Sequence, residues 1–375
     1  MSCPTHRPGQ ETSPQAVYFG NHSLAALWIN NQAASGCPDK KQKSRAKNML
    51  KKYSLFFILC FICSVSVKAD FKGLPAVTNF GKVNAYSDAV KMLFNDRVQE
   101  MQEIKTLGGQ VGKVFVVKHL NKKWFVKITR EDCQSCDTTH FDTEWKLKHE
   151  YEKKYSWVSS KNAELVFPDK GAIFVLGNKK NLIASYAWAP GKTLYGIHSE
   201  YFNRKERTGK LSRAYYRYGQ VLAVTHLDPE KPSQEIDDLL NRPARLHLSD
   251  RHGRNEKYHE GNDRIYILDL ADDSEYVGRK VLVVEELAFW LSSMLDNYDD
   301  LESASNCGRK HECLLLPFDS FARGYISSLP LYDSDLLMLM LKRIYLELVE
   351  YNCQEGPAEF CVLEDRLKTI NWVNS

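Results

Sequence analysis

The hydrophobic period changes partway along this chain of 375 residues, and that change limits the folds open to it. Between Lys113 and Trp188 apolar residues recur mostly at every second position, broken by one helical segment. From Leu211 onward they recur every three or four. Period two buries one face of a strand, and period 3.6 buries one stripe of a helix. A chain patterned this way builds a sheet from one part and a helical body from the next.

The first part reads as a hairpin, a helix and two more strands. "GGQVGKVFVVKHLNKKWFVKIT" gives strands at Lys113–His119 and Lys123–Ile128, with the turn at Asn121-Lys122. "DTEWKLKHEYEKKYSWVSS" aligns Leu147, Tyr151, Tyr155 and Val158 on one helical side. Strands follow at 172–177 and 181–188, and "APGKTL" supplies a Pro-Gly turn. Upstream, "SDAVKMLFNDRVQEMQEI" spaces Val90, Leu93, Val98 and Met101 as a helix does. Downstream, "LSRAYYRYGQVLAVTHL" and three later segments are helical, so the second part is expected to be all helix apart from one short strand.

The N-terminal region has the composition of an export signal. Residues 1–48 are polar and aperiodic, and are expected to be disordered or an over-extended reading frame. At 49–69, Lys51 and Lys52 precede an apolar run from Leu55 to Val65, and Val67 and Ala69 provide a cleavage site. The run is short for a membrane span, so no stable span is expected after cleavage; an internal signal-anchor helix is the alternative. The expected destination is the periplasm or the medium, with delivery to a host as a further possibility. Six of the ten cysteines follow the signal, as Cys133/Cys136, Cys307/Cys313 and Cys353/Cys361. Short-range disulfides suit an oxidising compartment. Cys133 and Cys136 are also open to redox chemistry, or to a metal with His140. A net charge of +4, with 51 basic against 47 acidic residues, argues against a nucleic-acid partner.

The segment "HLSDRHGRNEKYHEGNDRIYILDLADD" sets Asp250, Asn255 and Asp269 around one turn and one strand end. With "SYAWAPGKTL" and "YYRYGQVLAVTHLDP" before it, the chain resembles the protein-kinase-like superfamily, and most closely its aminoglycoside phosphotransferase and choline kinase branch. The resemblance covers roughly Lys105 to Tyr298. It implies an α+β, two-lobed fold: an antiparallel-sheet N-lobe at 105–190 and a helical C-lobe at 191–375, with 70–104 as an N-terminal helical extension. The loop departs from the family in having Leu248-Ser249 before Asp250, and the strand end reads Asp-Leu-Ala. "DRH" with this spacing also resembles the loops of phosphoinositide kinases and of secreted kinases.

The resemblance implies roles that the chemistry supports. Phosphoryl transfer needs an acceptor hydroxyl held in line and charge neutralised on the phosphates. Asp250 is the candidate base. Asn255 and Asp269 offer the hard oxygen ligands that magnesium takes. Lys127, in "WFVKI", is the candidate partner of the ATP phosphates and needs a carboxylate beside it. Glu144 and Glu150 are both available, and Glu150 is the better match to the family position. Gly108, Gly109 and Gly112 lie where a phosphate-covering turn belongs, without forming G-x-G-x-x-G.

The implied function is an exported ATP-dependent phosphotransferase acting on a hydroxyl of a small molecule or a protein. One alternative is a pseudokinase that binds nucleotide as an interaction module. Another is a metal-dependent hydrolase built from His247, Asp250, His252 and Asp269.

Overall fold

The computed structural model describes residues 77–104, 113–130, 144, 148, 162–202, 208–246, 251–270, 280–299, 310–355 and 358–369. All of them lie within the unit Leu59–Ser375. Six strands form the first sheet: β1 (Val77–Val83), β2 (Val98–Glu103), β3 (Lys113–His119), β4 (Lys122–Arg130), β6 (Pro168–Leu176) and β7 (Lys179–Ala187). Their spatial order is β1-β6-β7-β4-β3-β2. Every pairing is antiparallel except β1 with β6. The β3–β4 hairpin turns one residue earlier than the spacing predicts. Leu120 and Asn121 both take positive φ (49° and 59°), as a two-residue primed turn requires.

Strand alternation sorts the sheet's side chains into two cores. One face carries Phe115, Val117, Val126, Ile128, Phe174 and Ile183. It is covered by Ala89, Val90 and Leu93 of helix α1 (Tyr86–Leu93). The other face carries Phe125, Leu182, Ala184 and Tyr186, and packs against Tyr266 and Leu268 from the second half of the chain. Lys127 shares the Phe125 side of β4, so the second core is the one it borders.

Residues 77–104 correct the expected helical extension, because two strands of the main sheet flank a helix of 8 residues. Asn95 and Asp96 take left-handed conformations (φ 52° and 56°) and end the helix. Val98 and Met101 then lie in strand β2. A register shift between Val98 and Glu100 adds one residue to the strand. That bulge turns period two into period three, so Val98 and Met101 both come to lie half-buried against the first core. The helical spacing of these two residues is a bulged strand.

The second half is helical around α3 (Thr208–His226), which buries Leu211, Tyr215, Tyr218 and Leu222 as the period predicts. Around it stand α2 (Leu194–Phe202), α4 (Ile236–Asn241), α5 (Val283–Asp299), α6 (Lys310–Ser327), α7 (Ser334–Glu355) and α8 (Ala358–Thr369). Helices α3 and α6 approach through glycine: a Cβ on Gly219 would strike the Phe321 carbonyl, and one on Gly324 the Tyr216 carbonyl. A disulfide joins Cys353 to Cys361 where α7 gives way to α8. Cys133, Cys136 and Cys307, and the Cys313 side chain, lie outside what is described. No described helix is long and apolar enough to cross a membrane.

The expectation of helix with one short strand is corrected by a second sheet of four strands. It holds β5 (Ala163–Leu165), β8 (Lys192–Thr193), β9 (Glu256–His259) and β10 (Arg264–Ile267), in the order β5-β10-β9-β8. Because β5 follows the first sheet's hairpin in sequence and pairs with β10, this sheet bridges the two halves. The α+β, two-lobed architecture is the one observed, a sheet-built first lobe and a helix-built second.

Candidate active site

Strand β10 ends at Ile267, and Asp269 follows in a left-handed conformation (φ 48°). For a non-glycine residue that backbone costs roughly 1 kcal/mol, so its surroundings have to hold it. Lys127 forms an ion pair with Asp269 Oδ1. Its side chain is 15% exposed, and its Nζ lies 5.3 Å from the centre of the Tyr186 ring. The cation therefore meets a carboxylate and an aromatic face at the border of the second core.

Glu144 closes the other side of this corner. It is 2% exposed and accepts hydrogen bonds from the Tyr186 hydroxyl at 2.5 Å and from the Leu270 amide at 3.2 Å. Burial, and then the Glu144 and Asp269 charges, push the Tyr186 phenol well above its ordinary pKa, so it stays a donor. Glu144, one of the two acids considered, is brought to this corner. Glu150, the better match to the family position, lies outside the described residues.

The loop carrying Asn255 is fastened to the same strand end. The Leu268 amide donates to the Asn255 carbonyl at 2.9 Å, and the Asn255 amide donates to the His252 carbonyl at 2.8 Å. The Asn255 side chain is buried, and the Asp269 carboxylate is partly exposed. His252 Nδ1 accepts the Arg254 amide at 3.3 Å, so that ring supports the loop backbone.

Arg251 and Glu256 were not singled out from the sequence. Arg251 is 2% exposed and Glu256 is fully buried. The Arg251 guanidinium donates to Glu256 Oε1 at 3.1 Å and to the carbonyls of Leu268 at 2.8 Å and Asp269 at 2.7 Å. The Tyr218 hydroxyl donates to the same Glu256 oxygen at 3.2 Å. A buried carboxylate and a buried guanidinium are thus paired through Glu256 Oε1. The available signal was charge order, with a cation directly after Asp250 and an anion directly after Asn255.

Asp250, His247, Gly108, Gly109 and Gly112 lie outside the described residues. Among those described, no group of three or more His, Cys, Asp or Glu side chains is placed to hold a metal. The donors offered are one carboxylate, Asp269, and one amide, Asn255. Such a set fits magnesium when phosphate oxygens and water complete its shell, and is too small for a closed protein cage.

No protein-family model matches the chain, and no curated protein matches it. Among solved structures it is similar to that of a spectinomycin phosphotransferase in complex with ADP and spectinomycin. The identity is 12% and the TM-score 0.33, and the match covers 76% of this chain and 97% of that one.

Proposed function

We propose that this chain is an ATP-dependent phosphotransferase acting on a hydroxyl of a small molecule or a protein, and that it works after export. What carries the reading is the pairing of Lys127, from the first lobe, with Asp269, beside the anchored Asn255 loop. A cation and a carboxylate meeting at one strand end, with the Asn255 loop fastened beside them, suit a polyphosphate and its metal better than they suit a hydrolytic water.

In the proposed reaction Asp250 orients the acceptor hydroxyl and takes its proton. The acceptor oxygen bonds to the γ-phosphorus as the bond to the β–γ bridging oxygen breaks, and ADP leaves. Lys127 offsets charge on the phosphates, and Glu144 and Tyr186 hold the corner in which it works. Asp269 and Asn255 would hold magnesium, which supplies charge neutralisation when bound. The Cys353–Cys361 disulfide supports an oxidising destination.

The test is ATP turnover by the exported protein over a library of hydroxyl compounds and proteins, with and without magnesium, beside Asp250→Asn. Magnesium-dependent transfer that the substitution abolishes is the expected result. Binding of ATP with no transfer to any acceptor would replace the reading with a nucleotide-binding interaction module.

A further inference from the structure

The two carbonyls that Arg251 grips, those of Leu268 and Asp269, belong to the peptides on either side of the Asp269 Cα. One Nη2 holds both, so the rotations about that Cα are pinned from outside the strand. Without such a hold, a non-glycine residue at φ 48° would relax toward the commoner negative-φ regions. Its carboxylate would swing away from Lys127 as it did so.

The same guanidinium is fixed at its own end. Its Nη1 is held by Glu256, and Glu256 by Tyr218 of α3. The chain between them is the loop 251–256, and the Asn255 carbonyl of that loop holds the Leu268 amide. Both ends of the loop are therefore bonded to one strand end. Their spacing to Asp269 is set by a rigid, planar side chain anchored on a helix of 19 residues.

We propose that Arg251 is a positioning residue, acting through the backbone of Asp269 to hold the candidate metal ligands Asp269 and Asn255 in register with one another. Lysine preserves the charge that Glu256 needs, but its single ammonium does not reproduce the fork that bonds Glu256 and both carbonyls together. The inference rests on the phosphotransferase reading for its consequence and on the hydrogen bonds alone for its geometry.

The experiment compares the full-length exported protein with Arg251→Lys and with the charge-neutral pair Arg251→Met/Glu256→Gln, which removes both buried charges should the lysine variant fail to fold. Two quantities are read. The first is the magnesium concentration for half-maximal ATP turnover, normalised to folded protein. The second is hydrogen exchange at the Leu268 and Leu270 amides. A positioning role predicts a rise of about tenfold or more in the magnesium requirement and faster exchange at both amides, with the melting transition still cooperative. A merely structural role would lower the folded fraction without moving the magnesium requirement of what remains folded. Turnover with an unchanged magnesium requirement in a folded variant overturns the proposal and leaves the phosphotransferase reading standing. Unprotected amides in the variants, together with a wild-type protein that transfers no phosphate, overturn the phosphotransferase reading and leave the clamp standing. Unchanged exchange in both variants overturns the clamp whatever the activity.

Discussion

Lys127 and Asp269 form an ion pair although 142 residues separate them in the chain. Lys127 comes from the middle of β4, paired across to Ala184 of β7, while Asp269 lies just past β10 in the bridging sheet. The contact requires three things at once: strand alternation that turns Lys127 toward the second core, the pairing of β5 with β10, and the left-handed backbone at Asp269.

Replacing either partner should remove transfer and spare the fold. Lys127→Ala and Asp269→Ala are each expected to lower turnover by about 10²-fold or more, the usual cost of losing one charge-stabilising group in a transition state. Because the pair is partly exposed, stability should change by less than about 1 kcal/mol. Steady-state kinetics beside a denaturant melt separates the two effects. Full activity in Asp269→Ala would remove the strand end from the site.

Glu144 should matter to folding as well as to activity. Glu144→Ala takes the acceptor from the Tyr186 hydroxyl and the Leu270 amide, both buried, and is expected to cost about 1–3 kcal/mol together with a loss of turnover. Glu150→Ala serves as the comparison. Loss of turnover in Glu150→Ala, with Glu144→Ala silent, would assign the role to Glu150.

Gly219→Ala offers a clean stability test away from the site. On an open helix this change would gain roughly 1 kcal/mol from helix propensity. Here the added methyl meets the Phe321 carbonyl of α6, so the variant is expected to lose about 1–3 kcal/mol in chemical denaturation. A stabilised variant would contradict the close approach of α3 and α6.

Asp263 should confer a pH dependence on stability. Burial pushes its carboxyl up, but hydrogen bonds from Arg217 and Tyr258 and the nearby arginine charges outweigh that and hold it below its ordinary value. A depressed folded-state pKa adds stability above the unfolded value, and that stability is lost as pH falls through the folded value. Asp263→Asn should therefore melt below wild type at neutral pH, and the gap should close below about pH 4. A gap that widens in acid would reverse the sign of the shift.

The disulfide gives the export proposal a chemical test. Cys353 and Cys361 should resist alkylation until reduced, and the double serine variant is expected to lose about 2 kcal/mol, the scale of a short closed loop. Two free thiols in exported protein would count against an oxidising destination.

Local pattern was enough for the elements whose neighbours agree with it. The apolar stripe of Leu211, Tyr215, Tyr218 and Leu222 specifies α3 because a helix buries one stripe whatever it packs against. Alternation along β3 and β4 specifies the hairpin and the side on which Lys127 emerges. Asn255 and Asp269, marked by their spacing, come together at the strand end, and Asp250 lies outside the described residues. Tertiary structure decided the rest. Val98 and Met101 are three residues apart in helix and bulged strand alike, and only pairing with β3 selects the strand. Nothing in the sequence pattern around Glu144 says that its carboxylate reaches the Tyr186 hydroxyl, 42 residues further on, since that contact is made only in the folded chain. The Arg251–Glu256 bond joins opposite charges five residues apart in sequence, a spacing that carries no contact by itself. What makes it a clamp is the removal of water: a guanidinium in solvent is indifferent to two backbone carbonyls, whereas a buried one has to find partners, and here they flank Asp269.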